Sequence, residues 1–264
     1  MKKTKISINL NGFPDEITSF IKNSDIYDSS CSENARVFYI DKDNGYFLKK
    51  SSINILESEY LMHSYFHTLG LTSPVVSYIK AENNEYLLTE KVNGADCLDE
   101  AYLKNPDKLC DVIAECLYFL HSRSYVKCPI KNRTNSYIKA VSEGYSKGKY
   151  ESDLFEGLWE FTSFTDAWNA AKEGINNLET NVLIHGDYCL PNIILNNWKL
   201  SGFIDLGSAG VSDRHIDILW GIWTLKYNLG TFRYTDRFID CYGRELIDMD
   251  KLRCIAAMEM IGEG

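Results

Sequence analysis

His185-Gly186-Asp187-Tyr188-Cys189-Leu190-Pro191-Asn192, with Asp205-Leu206-Gly207 following it, is the stretch that decides the fold. In outline it is H-x-D-x-x-x-x-N and then D-x-G. The apolar run Val182-Leu183-Ile184 before it reads as a buried strand. After it, Ile193-Ile194-Leu195, a turn at Asn196-Asn197 and the run from Leu200 to Ile204 read as a hairpin. Asp187 and Asn192, on a tight loop after a buried strand, can converge on one point, and Asp205 at the end of the next strand can join them.

That set suits phosphoryl transfer, which needs a carboxylate at the attacking hydroxyl and ligands for Mg²⁺ on the nucleotide phosphates. Asp187 can orient and deprotonate the hydroxyl. Asn192 offers a neutral oxygen and Asp205 an anionic one, both suited to a hard cation. The plainer alternative is a loop cap at Asp187, a turn residue at Asn192 and a strand exit at Asp205-Leu206-Gly207.

Upstream, Arg36 to Ile40 and Tyr46-Phe47-Leu48-Lys49 are strand-like, with Asp43-Asn44-Gly45 as the turn between them. A second pair runs from Pro74 to Ile79 and from Tyr86 to Val92, around Glu82-Asn83-Asn84. Between the pairs, Asn54 to Leu69 reads as a helix ended by Gly70. Glu59 shares its apolar stripe with Ile55, Leu56, Met62, Phe66 and Leu69. A carboxylate buried there needs a cation. Lys49, at the end of a strand, is the candidate, and a kinase-type site needs such a lysine on the phosphates. A surface Lys49 beside Lys50, with Glu59 solvated, is the other reading. The first ninety residues thus read as a small sheet with one helix.

Asn93-Gly94 breaks the pattern, and the chain becomes mainly helical. Asn105-Pro106 looks like an N-cap with Pro at the first helical position. Leu109, Val112, Ile113, Cys116, Leu117 and Leu120 follow at helical spacing, and His121 ends that helix as a capping or packing residue. From Pro129 to Gly174 the chain is polar and aromatic, with helical fragments. Ile216 to Leu229, including Trp220 and Trp223, is apolar almost all round and reads as a buried helix. The expected fold is α+β and bilobal, with residues 1–92 as a small antiparallel-sheet lobe and 93–264 as a larger helical lobe.

The 264 residues carry 28 Lys+Arg and 37 Asp+Glu, a formal net charge of −9, with 45% hydrophobic residues. This is a globular composition with enough chain for a sizeable core. The acidic balance argues against general nucleic-acid binding; it would attract cationic ligands, and it is also what plain solubility requires. No run is long enough to span a membrane, and the N-terminus lacks the apolar core of a signal peptide. The eight cysteines form no C-x-x-C pair and are expected as free thiols in the cytoplasm. His63, His67 and His215 lack metal-ligand spacing.

The segments His185-Gly186-Asp187-Tyr188-Cys189-Leu190-Pro191-Asn192-Ile193-Ile194-Leu195 and Leu200-Ser201-Gly202-Phe203-Ile204-Asp205-Leu206-Gly207 closely resemble the two signature boxes of the aminoglycoside 3′-phosphotransferases, the kanamycin kinases. The resemblance implies a protein-kinase-like fold and transfer of the γ-phosphate of ATP, or GTP, to an aminoglycoside hydroxyl. It implies Asp187 as catalytic base, Asn192 and Asp205 as Mg²⁺ ligands, and Lys49, oriented by Glu59, on the phosphates. Ser32 would touch the phosphates, Phe47 would stack on adenine, and Glu90 and Val92 would bind its edge. Asp153, Glu156 and Glu160 fall where the family has an acidic substrate loop, and Glu259 falls near its C-terminal acidic cluster. Glu156 and Glu160 are spaced to share one helical face.

The implied partner is a cationic aminoglycoside, with no nucleic acid and no membrane, bound by a monomer or weak dimer. Departures from the family pattern are Met258 for a tail carboxylate, Ser208 and Trp223 for two arginines, and an extra Asn34 in the phosphate loop. They leave open a kinase for another alcohol, choline-like or sugar, and a weakly active nucleotide-binding module.

Overall fold

The computed structural model describes residues 4–30, 35–81 and 83–262. The N-terminal part is built from β1 (Thr4–Ile6), α1 (Asp15–Ile21), β2 (Asp25–Asp28), β3 (Ala35–Asp41), β4 (Tyr46–Ser52), α2 (Glu57–Thr68), β5 (Val75–Lys80) and β6 (Asn84–Glu90). Its strands form one sheet in the order β1-β2-β3-β4-β6-β5, with every adjacent pair antiparallel. Ile17, Ile21, Phe38, Ile40, Leu48, Tyr86 and Leu88 make its own apolar cluster.

The remainder runs β7 (Ala95–Asp96), α3 (Glu100–Leu103), α4 (Pro106–His121), α5 (Arg133–Ser146), α6 (Phe164–Ile175), β8 (Val182–Ile184), β9 (Ile193–Asn196), β10 (Lys199–Phe203), β11 (Gly210–Ser212), α7 (His215–Leu229), α8 (Thr235–Tyr242) and α9 (Met249–Ile261). The short strands form two ribbons, β10-β9-β7 and β11-β8. A large core fills the space between the helices, and Met62, Tyr65 and Phe66 of α2 belong to it. The α+β, two-part, kinase-like architecture is therefore present. Among the described residues no helix is long and apolar enough to cross a membrane.

Several local expectations change. The sheet part holds two helices, because the short α1 lays Ile17 and Ile21 on the sheet core. α2 begins at Glu57 rather than Asn54. Asn54 adopts φ +67°, and the Ile55 and Leu56 amides donate to Glu85 Oε2 at 2.9 and 2.7 Å. A fully buried strand carboxylate thus closes the helix N-terminus. Ile55 leaves the apolar stripe and is exposed.

The turn after β3 places Asp43 and Gly45, not Asn44, at positive φ. The turn after β9 uses Asn197 and Trp198, one residue later than expected. Trp198 holds that conformation with its ring edge-on to Tyr102 at 4.9 Å. Asn105 does not cap α4, since its side-chain amide donates back to the Ala101 carbonyl.

Gly94 makes the passage between the two parts possible. It has φ +124°, and a Cβ there would lie 2.2 Å from the Leu195 carbonyl oxygen. The next residue, Ala95, pairs with Leu195 in the β7–β9 ladder. Gly94→Ala is expected to cost about 2–4 kcal/mol, combining positive-φ strain with a backbone clash. Urea unfolding of the variant against the unsubstituted chain measures it, and an unchanged midpoint would contradict the assignment.

Candidate active site

Lys49 lies on β4 between Val37 of β3 and Leu87 of β6. Its ammonium donates to Glu59 Oε1 at 2.6 Å and to Asp205 Oδ1 at 2.9 Å. The Lys49 and Glu59 side chains are 18% and 8% exposed, whereas Asp205 is 55% exposed. Burial alone would pull Lys49 down, but the two carboxylates outweigh it and hold the ammonium above its ordinary value. Burial pushes Glu59 up, against the pull of Lys49. Lys49 keeps the Asp205 carboxyl below its usual range.

Asp205 follows β10 in a left-handed conformation, φ +59°, and a short 3-10 turn from Leu206 to Ser208 begins immediately after it. His185 Nδ1 accepts the Asp187 amide at 3.2 Å, so Nε2 carries the ring proton and donates to the Ile204 carbonyl at 2.9 Å. One imidazole thus ties the loop holding Asp187 to the residue before Asp205. Gly186, at φ +85°, closes the other side: a Cβ there would sit 2.1 Å from the Ser208 carbonyl oxygen.

Beneath this loop lies Asp217 of α7, wholly buried. Its oxygens accept the His185 and Gly186 amides, both at 2.7 Å, and one also meets His121 Nε2 at 3.1 Å. His121 Nδ1 bonds the Tyr242 hydroxyl at 2.8 Å. His121 is therefore a buried packing residue that joins α4, α7 and α8.

Asn192 donates through Nδ2 to the Asp187 carbonyl at 3.0 Å and to Asp187 Oδ2 at 2.8 Å. This fixes the amide so that its Oδ1 is left as an acceptor. That oxygen and the exposed Asp205 carboxylate are hard donors of the kind that suits Mg²⁺, and the Ile204 amide, one residue before Asp205, donates to the Asn192 carbonyl at 3.0 Å.

Two cavities flank these groups. One, of about 390 Å³, is lined by Val37, Phe47, Lys49, Glu59, Leu87, Glu90, Val92, Ile204 and Asp205 among others. Its Glu90 carbonyl also accepts the Ser73 hydroxyl. The other, of about 420 Å³, is lined by Asp187, Glu259, Trp220, Tyr137, Arg133 and Ser208 among others. The structure thus brings Phe47, Lys49, Glu59, Glu90, Val92 and Asp205 to one cavity and Asp187 and Glu259 to its neighbour. Ser32 and the inserted Asn34 lie outside the described residues.

Asp153, Glu156 and Glu160 do not line the second cavity. They are exposed on the irregular segment between α5 and α6, not on a helix, and Gly157 at φ +80° interrupts the helical path between Glu156 and Glu160. Of the departures, Met258 is fully buried in the core, and Trp223 donates its indole N–H to the Leu154 carbonyl at 2.9 Å.

Arg133, at the start of α5, carried no sequence signal. Its Nη2 donates to Ser58 Oγ at 2.6 Å and to the Gly207 and Ala209 carbonyls at 2.9 Å each. It fastens the segment after Asp205 to α2. Asp217 did carry a signal: a lone carboxylate in an apolar helix makes the same demand for partners as Glu59.

Glu259 accepts the Trp220 indole N–H at 3.3 Å. Burial pushes its carboxyl up to about 7, against the Tyr137 and Trp220 hydrogen bonds and aided by the Asp187 charge. A raised acid takes up its proton on folding, so its contribution favours the folded state below its unfolded pKa and is lost as pH rises through 7. Keeping it ionised at pH 8 costs about 3 kcal/mol. Glu259→Gln retains the acceptor for Trp220 without the charge. The variant is expected to be more stable than the unsubstituted chain at pH 8, with the gap closing by about pH 4. Denaturant midpoints across that range check it, and a pH-independent difference would contradict the buried carboxyl.

The chain matches the model of the phosphotransferase enzyme family over residues 29–255. It is 42% identical over 258 residues, 98% of each chain, to a probable aminoglycoside 3′-phosphotransferase of Lactococcus lactis subsp. lactis (strain IL1403). An aminoglycoside 3′-phosphotransferase of Niallia circulans is 32% identical over 169 residues, 64% of each chain. Among solved structures, the aminoglycoside phosphotransferase APH(3″)-Id of Streptomyces rimosus, in complex with ADP and streptomycin, shares the fold with a TM-score of 0.73 at 20% identity, over 98% of this chain and 100% of that one. On the strength of the family match and the full-length relative, this chain belongs to the phosphotransferase enzyme family.

Proposed function

We propose that the chain transfers the γ-phosphate of ATP to the 3′-hydroxyl of an aminoglycoside, an activity that confers resistance to such antibiotics. The observation that carries this reading is the pair of adjoining cavities, with Lys49, Glu59 and Asp205 in one and Asp187 and Glu259 in the other. The full-length relative's name supports the acceptor class. Residues 1–92 serve as the nucleotide lobe and 93–264 as the catalytic and acceptor lobe.

In this reading the adenine lies between Phe47 and the Glu90–Val92 edge, and Lys49 holds the phosphates. Asn192 and Asp205 would hold the Mg²⁺ that neutralises phosphate charge. Asp187 orients the acceptor hydroxyl and takes its proton. The acceptor oxygen forms the new bond to the γ-phosphorus, and the β–γ bridging bond breaks with its electron pair leaving on ADP. The Asn192 amide keeps the Asp187 carboxylate in place at 2.8 Å. Glu259 supplies a carboxylate to a polycationic acceptor.

An ADP-release assay with Mg²⁺ and kanamycin, neomycin, choline or no acceptor tests the reading. Turnover with the aminoglycosides is expected, and turnover with choline alone would replace the acceptor class. Asp187→Ala is expected to lower kcat by about two decades or more with little change in KM for ATP. Asp205→Ala should weaken nucleotide binding and turnover together. Near-native kinetics in either variant would overturn its assignment.

A further inference from the structure

Asp205 holds φ +59°, a left-handed conformation that a residue with a Cβ keeps only where its surroundings fix it. Upstream it is fixed twice. The Ile204 amide donates to the Asn192 carbonyl at 3.0 Å, and the Ile204 carbonyl accepts His185 Nε2 at 2.9 Å. Downstream, β11 begins only at Gly210. The turn between is closed by the Ala209 amide on the Leu206 carbonyl at 3.2 Å. This turn is also the wall between the two cavities. Gly207 and Ser208 line the cavity of Lys49, and Ser208 lines that of Asp187 as well.

The outside grip on this wall comes from Arg133. Its Nη2 donates to the carbonyls on either side of Ser208, those of Gly207 and Ala209, at 2.9 Å each, and Nε reaches Ala209 again at 3.1 Å. Nη2 also meets Ser58 Oγ at 2.6 Å, while the Ser58 hydroxyl donates to the Gly207 carbonyl at 3.0 Å. Ser58 precedes Glu59, the partner of Lys49. One guanidinium thus spaces the Asp205 turn against the helix that orients the lysine. The base of its side chain is seated too, since a Cβ on Gly210 would lie 3.1 Å from Arg133 Cβ.

Electrostatics alone would not put a cation here. Arg133 is the first residue of α5, at the positive end of the helix dipole. It is half-buried, and among the described residues no carboxylate pairs with it. Every oxygen it meets is neutral. A planar fork of donors, however, is the group that can hold several carbonyls at fixed spacing.

We propose that Arg133 is a positioning residue for phosphoryl transfer: by clamping the wall between the cavities, it holds the Asp205 carboxylate in the orientation that receives Mg²⁺. The assignment rests on the function proposed above. In this role Arg133 touches neither substrate, and its fork matters rather than its charge.

Calorimetric titration with ADP, in EDTA and at a series of Mg²⁺ concentrations, reads the metal-dependent part of binding with no acceptor present. Arg133→Met keeps the stem and loses the fork. The Mg²⁺ concentration that gives half the gain in ADP affinity should rise about tenfold, as for loss of a charged hydrogen bond, while affinity in EDTA stays within about twofold. Arg133→Lys keeps the charge without the fork and should recover little of the loss. Full recovery by lysine would make the charge responsible and overturn the assignment. Ser58→Ala removes one anchor and should shift the Mg²⁺ dependence the same way by about threefold, and adding it to Arg133→Met should shift it no further. A lower melting midpoint with unchanged Mg²⁺ dependence is what a merely structural arginine gives, and it too overturns the assignment. If Arg133→Met fails to fold, Ser58→Ala decides by the same readout. If the unsubstituted chain shows no Mg²⁺-dependent ADP binding, the nucleotide reading beneath fails and the assignment with it.

Discussion

The Lys49 ammonium, held between Glu59 and Asp205, is the interaction on which the rest depends. It takes one group from the sheet, one from α2 and one from the loop after β10. Removing one partner of such a buried pair typically costs about 3–5 kcal/mol, because the remaining charge is left unpaired. No single core positions these three elements, since the sheet has its own apolar cluster and α2 packs largely into the other. The ion pairs tie the two parts together at the point where, in the proposed function, the nucleotide phosphates are held. Asp205 is the most exposed member, which in the proposed function leaves it open to a metal while Glu59 keeps the lysine in place.

Around that centre the backbone is held by side chains rather than by regular ladders. Asp217 takes two successive amides of the Asp187 loop, and His185 reaches across to Ile204. Arg133 gathers the Gly207 and Ala209 carbonyls with Ser58. The Asp217 carboxylate and the Arg133 guanidinium make charge-assisted bonds, stronger than a neutral amide contact, and the His185 ring is held by a bond at each nitrogen. The result is a preorganised set of loops carrying Asp187, Asn192 and Asp205, which is what positioning-dominated phosphoryl transfer requires.

Much of this was legible in the residues. β8 and the β9–β10 hairpin stood out as apolar runs around a polar turn. Glu59 announced its partner because a carboxylate in an apolar stripe has few stable options. What stayed illegible is equally physical. α1 has only seven residues and buries Ile17 and Ile21, too short a pattern to separate from a loop. The start of α2 was misplaced because its cap, Glu85, comes from a strand distant in sequence. Arg133 looks like any helix-start arginine until three distant groups converge on it. The segment carrying Glu156 and Glu160 had helical spacing, but Gly157 takes a positive φ that breaks the helix between them.

The two cavities differ in how they treat charge, and the difference separates chemistry from selectivity. In the cavity lined by Lys49, Glu59 and Asp205, Glu59 holds the lysine from within the protein, so that pair keeps its geometry when a ligand arrives. In the second cavity, Glu259 is buried against the neutral donors Tyr137 and Trp220, and burial pushes its carboxyl up to about 7. A carboxyl poised in this way is completed by its ligand: a cationic acceptor pulls it to the ionised form and is bound more tightly for doing so. Outside, Asp153, Glu156 and Glu160 are exposed, so each contributes long-range attraction more than fixed contacts. Of the three departures, Trp223 seats the turn carrying Asp153 through the Leu154 carbonyl, Met258 is buried in the core, and Ser208 lines both cavities. Lys49, Asp187, Asn192 and Asp205 are all retained, so in the proposed function these departures leave the groups of the chemical step in place.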